Sequence, residues 1–275
     1  MNQLKSLRLT VSQLENSIKF YVDVLGMSLV KVQHDEDHHT KKKAVLSYDN
    51  PMHPFFLCLE QGAPGAEFSP QKDDLYWKIG IALADIELAR NKIMSKGTYV
   101  SQPHQFLDIG YLCHLQDPDG LVIELLQYTF GRRKSPLIPN NSVLGQKAHI
   151  GQVSLRVKDI NQNIDYYRQT FGLRLIAKMD ANPYGFSLYF LASEDGPTPP
   201  QANLEAVENR EWLWSQPITT LELLHREGSE SLPGFSYRPH SNEGLGFKGL
   251  GFSDKDPASS APDKVYTYQF TQESF

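Results

Sequence analysis

The sequence predicts an α+β protein made of tandem β-α-β-β-β modules, and three observations carry the prediction. The first is a repeated phrase. Gln152, Ser154 and Arg156 alternate with Val153, Leu155 and Val157, the two-residue period of a strand with unlike faces. Ile160, Ile164, Tyr167 and Phe171 follow at helical spacing, and Leu173-Arg-Leu-Ile-Ala-Lys178 reads as the next strand. The same grammar occurs upstream in Leu7-Arg-Leu-Thr-Val11, Ser17-Ile-Lys-Phe-Tyr21, Leu25-Gly-Met27 and Leu29-Val30. Self-similarity of this kind marks a modular fold. The second observation is a fainter copy between the two, Ile79-Gly-Ile-Ala-Leu83 followed by Asp85 and a helix pattern in Ile86, Ala89 and Ile93. The third is the spacing of the remaining strands, which are short, even and separated by turn formers.

Taken in order, the first module has strands at 7–11, 28–32, 43–48 and 54–60, with its helix after the first. The second opens at 75–83, and its helix ends at Gly97. It continues through strands 111–115 and 121–128. Gln116-Asp-Pro-Asp-Gly120 joins those two as a hairpin turn, since Pro sets φ and Gly permits positive φ. Residues 131–147 carry turn formers and charge without periodicity and read as a linker between residues 1–130 and 148–253. In the third module Asp159 is placed to cap the helix N-terminus and Gly172 to stop it. Strands at 173–179, 185–192 and 218–225 complete the module, and 193–211 and 225–244 read as long loops. Gly246-Phe-Lys-Gly-Leu-Gly-Phe252 resembles the opening strand of a fourth module that never acquires its helix. The tail, 254–275, contributes at most one edge strand, Val265-Tyr-Thr-Tyr-Gln-Phe270.

Composition bounds the function. With 40% hydrophobic residues among 275, the chain is able to bury a proper core. A net charge of -5 provides no electrostatic footprint for nucleic acid or an anionic membrane. No apolar run reaches the roughly 20 residues that span a bilayer. The opening residues read as a strand and not as a secretory leader. Cys58 and Cys113 lie in apolar strand patterns, so a reducing, cytoplasmic location is expected. His34-Asp-Glu-Asp-His-His39, flanked by lysines, reads as a solvated loop in preference to a metal site.

Leu155-Arg-Val-Lys-Asp159, Tyr166-Tyr167, Phe171-Gly172-Leu173, Phe186-Ser-Leu-Tyr-Phe-Leu-Ala192 and Thr220-Leu-Glu-Leu-Leu-His225 resemble the first module of glyoxalase I (lactoylglutathione lyase). Leu121-Val-Ile-Glu-Leu125, after the Asp-Pro-Asp-Gly turn, is similar to the closing strand of its second module. The resemblance implies the vicinal oxygen chelate superfamily, whose paired modules form cupped sheets around a divalent metal. It implies that the second module pairs with the third, and the first with the fourth fragment. It also implies metal ligands at Gln152, Glu222 and Glu124, with Lys78 where the family has a histidine. Lys78 is a poor ligand because its amine must first shed a proton. The more natural role for it is to replace the metal's charge or to pair with Glu124 and Glu222. The other cup has Ser6, Cys58 and Gly249 at the ligand positions and lacks a closing strand.

The chemistry so implied is a lyase or isomerase reaction on a 2-oxoaldehyde-derived adduct, through a metal-stabilised enediolate, with Glu222 or Glu124 as base. Zinc or nickel is the implied cofactor. Arg156 and Arg226 are the implied substrate contacts, with His114 beside them on a cavity-lining strand. Glutathione fits less well as co-substrate, because Asp74 and Asp108 stand near the places where basic residues are expected. The alternative is a non-catalytic binding protein that keeps the cup and loses the metal; an extradiol dioxygenase is a third reading. The expected partner is a small molecule, with neither nucleic acid nor membrane, and the chain is expected to be a monomer or homodimer. The half-made second cup predicts an apolar patch around Leu7, Leu9, Phe56 and Leu57, covered by the tail strand or by a second copy.

Overall fold

The computed structural model describes residues 3–33, 42–48, 55–63, 65–66, 69–131, 133, 142–145, 147–239, 244–253 and 266–267. The first module comprises β1 (Gln3–Val11), α1 (Leu14–Lys19), β2 (Ser28–Gln33), β3 (Lys43–Ser47) and β4 (Phe56–Gln61); a π-helical turn, Phe20–Val24, extends α1. The second comprises β5 (Tyr76–Leu83), α2 (Ile86–Met94), β6 (His104–Phe106), β7 (Gly110–Gln116) and β8 (Val122–Gln127). The third comprises β9 (His149–Val157), α3 (Ile160–Phe171), β10 (Leu173–Ala181), β11 (Phe186–Ser193), α4 (Glu208–Ser215) and β12 (Thr220–Arg226). β13 (Gly246–Ser253) and β14 (Tyr266–Thr267) follow.

Local chemistry sets the helix ends as read from sequence. The Asp159 carboxylate accepts from the Gln162 N–H at 3.0 Å, and Asp85 does the same for Leu88 at 3.0 Å. Gly172 ends α3 with φ 62°, a left-handed conformation that only glycine adopts without strain.

The strands form two sheets. One has eight strands in the order β10-β11-β12-β9-β5-β8-β7-β6, the other six in the order β14-β13-β1-β4-β3-β2. In each complete module the closing strand lies parallel beside the opening one: β4 on β1, β8 on β5, β12 on β9. The second and third modules then join antiparallel through β5 and β9. β13 meets β1 in the same antiparallel manner, so the fragment takes the place of an opening strand. This is the pairing that the resemblance implied.

The alternation of the strands sorts the eight-stranded sheet into two faces. Ile79, Ile81, Ile123, Val153, Leu155, Leu221 and Leu223 enter the main core on the convex side. On the concave side Leu112, Leu126, Leu188, Phe190 and Leu224 form a second apolar cluster with Leu213 and Trp214 of α4.

Several expectations are corrected. β6 was absent from the sequence reading because three residues carry too little periodicity to register. The segment 193–211 is not all loop, since α4 begins at Glu208. Its only sequence signal was the apolar run Trp212-Leu213-Trp214 after a polar, proline-rich stretch. The apolar patch predicted on the first module does not form: Leu7, Leu9 and Leu57 are all 0% exposed, because they point into the core and not into the open half-cup. The tail strand β14 pairs edge-on with β13, as Gly251 with Thr267 and Phe252 with Tyr266. The acidic-histidine segment 34–39 and most of the linker lie outside the described residues.

Candidate active site in the eight-stranded cup

The cup's polar floor is assembled by register. Gly80 of β5 lies opposite Gln152 of β9 and beside Glu124 of β8, and Lys78 lies opposite Ser154. Glu222 of β12 stands beside Ser154, and His114 of β7 beside Glu124. Five strands from two modules therefore bring Lys78, Gln152, Glu124, Glu222 and His114 onto one concave face. Gly80 is what lets them converge. A Cβ there would lie 2.5 Å from Cγ of Gln152 and 2.9 Å from its Nε2, so any side chain would expel the amide.

The contacts are short and mutual. Nζ of Lys78 lies 2.5 Å from Oε2 of Glu124 and 4.0 Å from Oε1 of Glu222. Nε2 of Gln152 donates to Glu124 Oε1 at 3.0 Å and to Glu222 Oε2 at 2.6 Å. Oγ of Ser154 also donates to Glu222 Oε2, at 2.7 Å, and Nε2 of His114 lies 3.0 Å from Glu124 Oε2. The Lys78 ammonium is 4.2 Å from the centre of the Trp77 ring, a cation–π contact. Lys78 and Glu124 are 3% exposed and Glu222 is 0% exposed. A glutamate between apolar neighbours in a strand has a bland alternative, that it faces solvent. The concave face of the sheet is covered, and that alternative fails for both.

The two carboxyls are driven apart. Burial raises the pKa of Glu124, but the Lys78 ammonium and His114 outweigh it and hold the group at about 2. Burial also raises Glu222, and there it wins: Lys78 pulls down from farther away, while Glu124 adds a like charge that pushes up. Oε1 of Glu222 has no hydrogen-bond partner among the described residues. The floor thus holds a fixed anion in Glu124, a fixed cation in Lys78 and a second carboxyl with an enhanced hold on its proton.

Above the floor lies a cavity of about 250 Å³. Lys78, His114, Glu124 and Gln152 border it at the bottom. Trp77, Phe106, Phe186, Phe190 and Trp214 make up much of its wall. α4 closes one side: Trp214 packs edge-on to Phe190, with ring centroids 5.3 Å apart, and its Nε1 donates to the Ile109 carbonyl at 2.9 Å. Arg210 holds α4 to the second module through the carboxylate and carbonyl oxygens of Asp108. Of this wall, Trp77, Phe106 and Trp214 went unrecognised in the sequence, because aromatic residues on loops, bulges and short elements carry no period.

Four of the sequence-derived site residues border the cavity: Lys78, His114, Glu124 and Gln152. Glu222 lies one layer beneath, under the amide of Gln152. Arg156 and Arg226 are not among the residues that border it. The Arg156 guanidinium donates to the carbonyls of Asp74 and Tyr76 and lies 5.4 Å from the Trp77 ring centre. Arg226 ends β12, past the floor. The register also carries the comparison to the other cup, where Cys58 and Gly249 both lie against Arg8 as Glu124 and Gln152 lie against Gly80. An arginine there holds the register position that the glycine holds here.

The glyoxalase/bleomycin resistance protein/dioxygenase superfamily matches residues 3–125 and 149–238. The chain belongs to this superfamily. Over 93 residues it is 40% identical to a lactoylglutathione lyase of Pseudomonas putida, covering 34% of this chain and 51% of that one. Over 183 residues it is 27% identical to a probable chloroplastic lactoylglutathione lyase of Arabidopsis thaliana, covering 65% of this chain and 46% of that one. The chain thus spans about half the length of these relatives. Glyoxalase I from Zea mays shares the fold, with a TM-score of 0.63 at 21% identity over 92% of this chain and 75% of that one.

A divalent metal, which the superfamily resemblance implies, does not fit these residues as they stand. The space between the carboxylates is taken by Nζ of Lys78. Among the described residues no three His, Cys, Asp or Glu side chains are arranged to hold an ion. The Gln152 amide turns its nitrogen, and not its oxygen, toward the carboxylates, which is the orientation their negative charge demands.

Proposed function

We propose that this chain is a glyoxalase-type isomerase or lyase that moves a proton between adjacent carbons of a small carbonyl compound. The observation that carries the reading is the pair of buried carboxyls, one held low and one raised, around an ammonium at the base of an apolar cavity. Titratable groups driven apart by their surroundings are the mark of an acid–base site.

The roles follow from the contacts. Glu222, whose affinity for a proton burial has raised, is the base. It takes the proton from the carbon bearing the hydroxyl, the C–H electron pair forms a C=C bond as the carbonyl π pair moves onto oxygen to give an enediolate, the same carboxyl returns the proton to the neighbouring carbon, and the hydroxyl proton passes to the former carbonyl oxygen. Atoms and electrons balance without any further reactant. The Lys78 ammonium faces the oxygen on which negative charge develops, in a site poor in water where such an interaction is strong. Glu124 and Trp77 fix that ammonium in place. Gln152 covers Glu222, so its amide must turn aside as substrate enters.

Incubation in D2O with the hemithioacetal of methylglyoxal and glutathione, and with α-hydroxyketones, tests this by the loss of the α-C–H signal in NMR. We expect Glu222→Gln to slow exchange by about a hundredfold or more, the range for loss of a general base. A Glu222→Gln protein that exchanges at the wild-type rate would overturn the assignment. The second reading, a binding cup without turnover, is favoured by the mutual satisfaction of the floor's charges. It prevails when ligand binds and no α-proton exchanges.

A further inference from the structure

We infer that the substrate of this cup is a small, uncharged, aryl-bearing α-hydroxycarbonyl compound and not a glutathione adduct. The inference rests on the proton-shift reading and adds the class of molecule on which it acts.

Three features of the cavity point the same way. Its wall is aromatic, with Trp77, Phe106, Phe186, Phe190 and Trp214 presenting ring faces and edges to whatever enters. Its volume of about 250 Å³ lies below the roughly 300–1,000 Å³ usual for drug-sized ligands, so one ring with a short polar arm is the scale of molecule that it encloses. Its charges are spent on one another. The Lys78 ammonium is already matched by Glu124 at 2.5 Å, and among the described residues no arginine borders the cavity.

The carboxylates of a glutathionyl group would need cations on the wall, because an unpaired carboxylate in an apolar site is strongly disfavoured. Arg226, at the end of β12, is not among the residues that border the cavity, and three other arginines are held by partners of their own. Arg156 donates behind Trp77 to the carbonyls of Asp74 and Tyr76, Arg210 pairs with Asp108, and Arg238 pairs with Asp73 and Asp74. An aryl α-hydroxyketone asks for none of these. Its ring packs against the wall and its two vicinal oxygens meet the polar floor of Lys78, Gln152 and His114.

The test uses the tryptophans of the wall. Intrinsic fluorescence of the full chain is titrated with 2-hydroxyacetophenone and with S-benzylglutathione, which carries the same ring on the tripeptide. We expect 2-hydroxyacetophenone to bind at least tenfold more tightly, and Phe186→Ala to weaken it by tenfold or more. Binding of S-benzylglutathione as tightly as, or more tightly than, the hydroxyketone overturns the inference, as does an unchanged affinity in Phe186→Ala. α-Proton exchange is followed in the same samples. Hydroxyketone binding without exchange supports the ligand class and removes the proton-shift reading. Exchange with the glutathione hemithioacetal but no binding of the hydroxyketone does the reverse.

Discussion

Replacing Lys78 by Met deletes the ammonium that faces the buried carboxyls while keeping the length and apolar stem of the side chain. Two routes give its magnitude. Removing one partner of a buried ion pair typically costs about 3–5 kcal/mol, because the other charge is left uncompensated. Independently, Glu124 is held at about 2 where 4.5 is ordinary, a difference worth about 3 kcal/mol of folding stability at neutral pH. The sign follows from linkage. In the wild type the stabilisation by Glu124 is present above pH 4.5 and is lost as pH falls through about 2. In Lys78→Met the strongest influence opposing burial of Glu124 is gone and only His114 and the Gln152 amide still favour its anion, so its folded pKa rises above the unfolded one and stability then declines as pH rises past 4.5. The loss relative to wild type is therefore expected to be about 3–5 kcal/mol at pH 8 and to shrink at pH 4.5. Urea unfolding at the two pH values measures it. A loss under about 1 kcal/mol at pH 8, or an equal loss at both, would show that Lys78 does not compensate these carboxyls.

Other outcomes are expected from the same geometry. Lys78→His removes the fixed cation and supplies a neutral nitrogen donor, so affinity for zinc, nickel or cobalt should rise at least about tenfold, roughly 1.4 kcal/mol, in calorimetric titration; tight binding by the wild type, with no gain, contradicts this. Gly80→Ala drives a Cβ to 2.5 Å from Gln152 Cγ, and a stability loss of about 1–3 kcal/mol should accompany collapse of α-proton exchange. Because burial raises Glu222, the acid limb of kcat/KM should lie above pH 4.5 and flatten in Glu222→Gln; a limb that persists assigns the titration to another group. Asp117→Ala strips partners from the Tyr21 hydroxyl at 3.0 Å and from the Leu121 and Asp119 amides at 2.9 Å each, and thermal unfolding should report a loss of at least about 2 kcal/mol.

What the sequence determined by itself is the modular plan and the polar corners. Alternation in Gln152 to Val157 and the caps Asp159 and Gly172 are local signals, and each module repeats them, so the strands and helices were legible one by one. Gln152, Glu124, Glu222 and Lys78 were marked by the resemblance to glyoxalase I, at the strand corners where that family holds its ligands. The sequence could not say whether those residues face solvent or each other. That depends on β5 meeting β9 across two modules, a contact between residues more than seventy positions apart, and on α4 folding over the concave face. The cavity wall was hidden for the same reason. Trp77 sits beside a register shift, Phe106 on a three-residue strand and Trp214 on a helix within a loop-like segment, none with a period to betray it. For Arg156 the strand face shows which side the side chain leaves by, whereas its partners, the carbonyls of Asp74 and Tyr76, are fixed by the neighbouring strand. Only tertiary structure decides which charges share a desolvated space, since desolvation belongs to the assembled cup and not to any single strand.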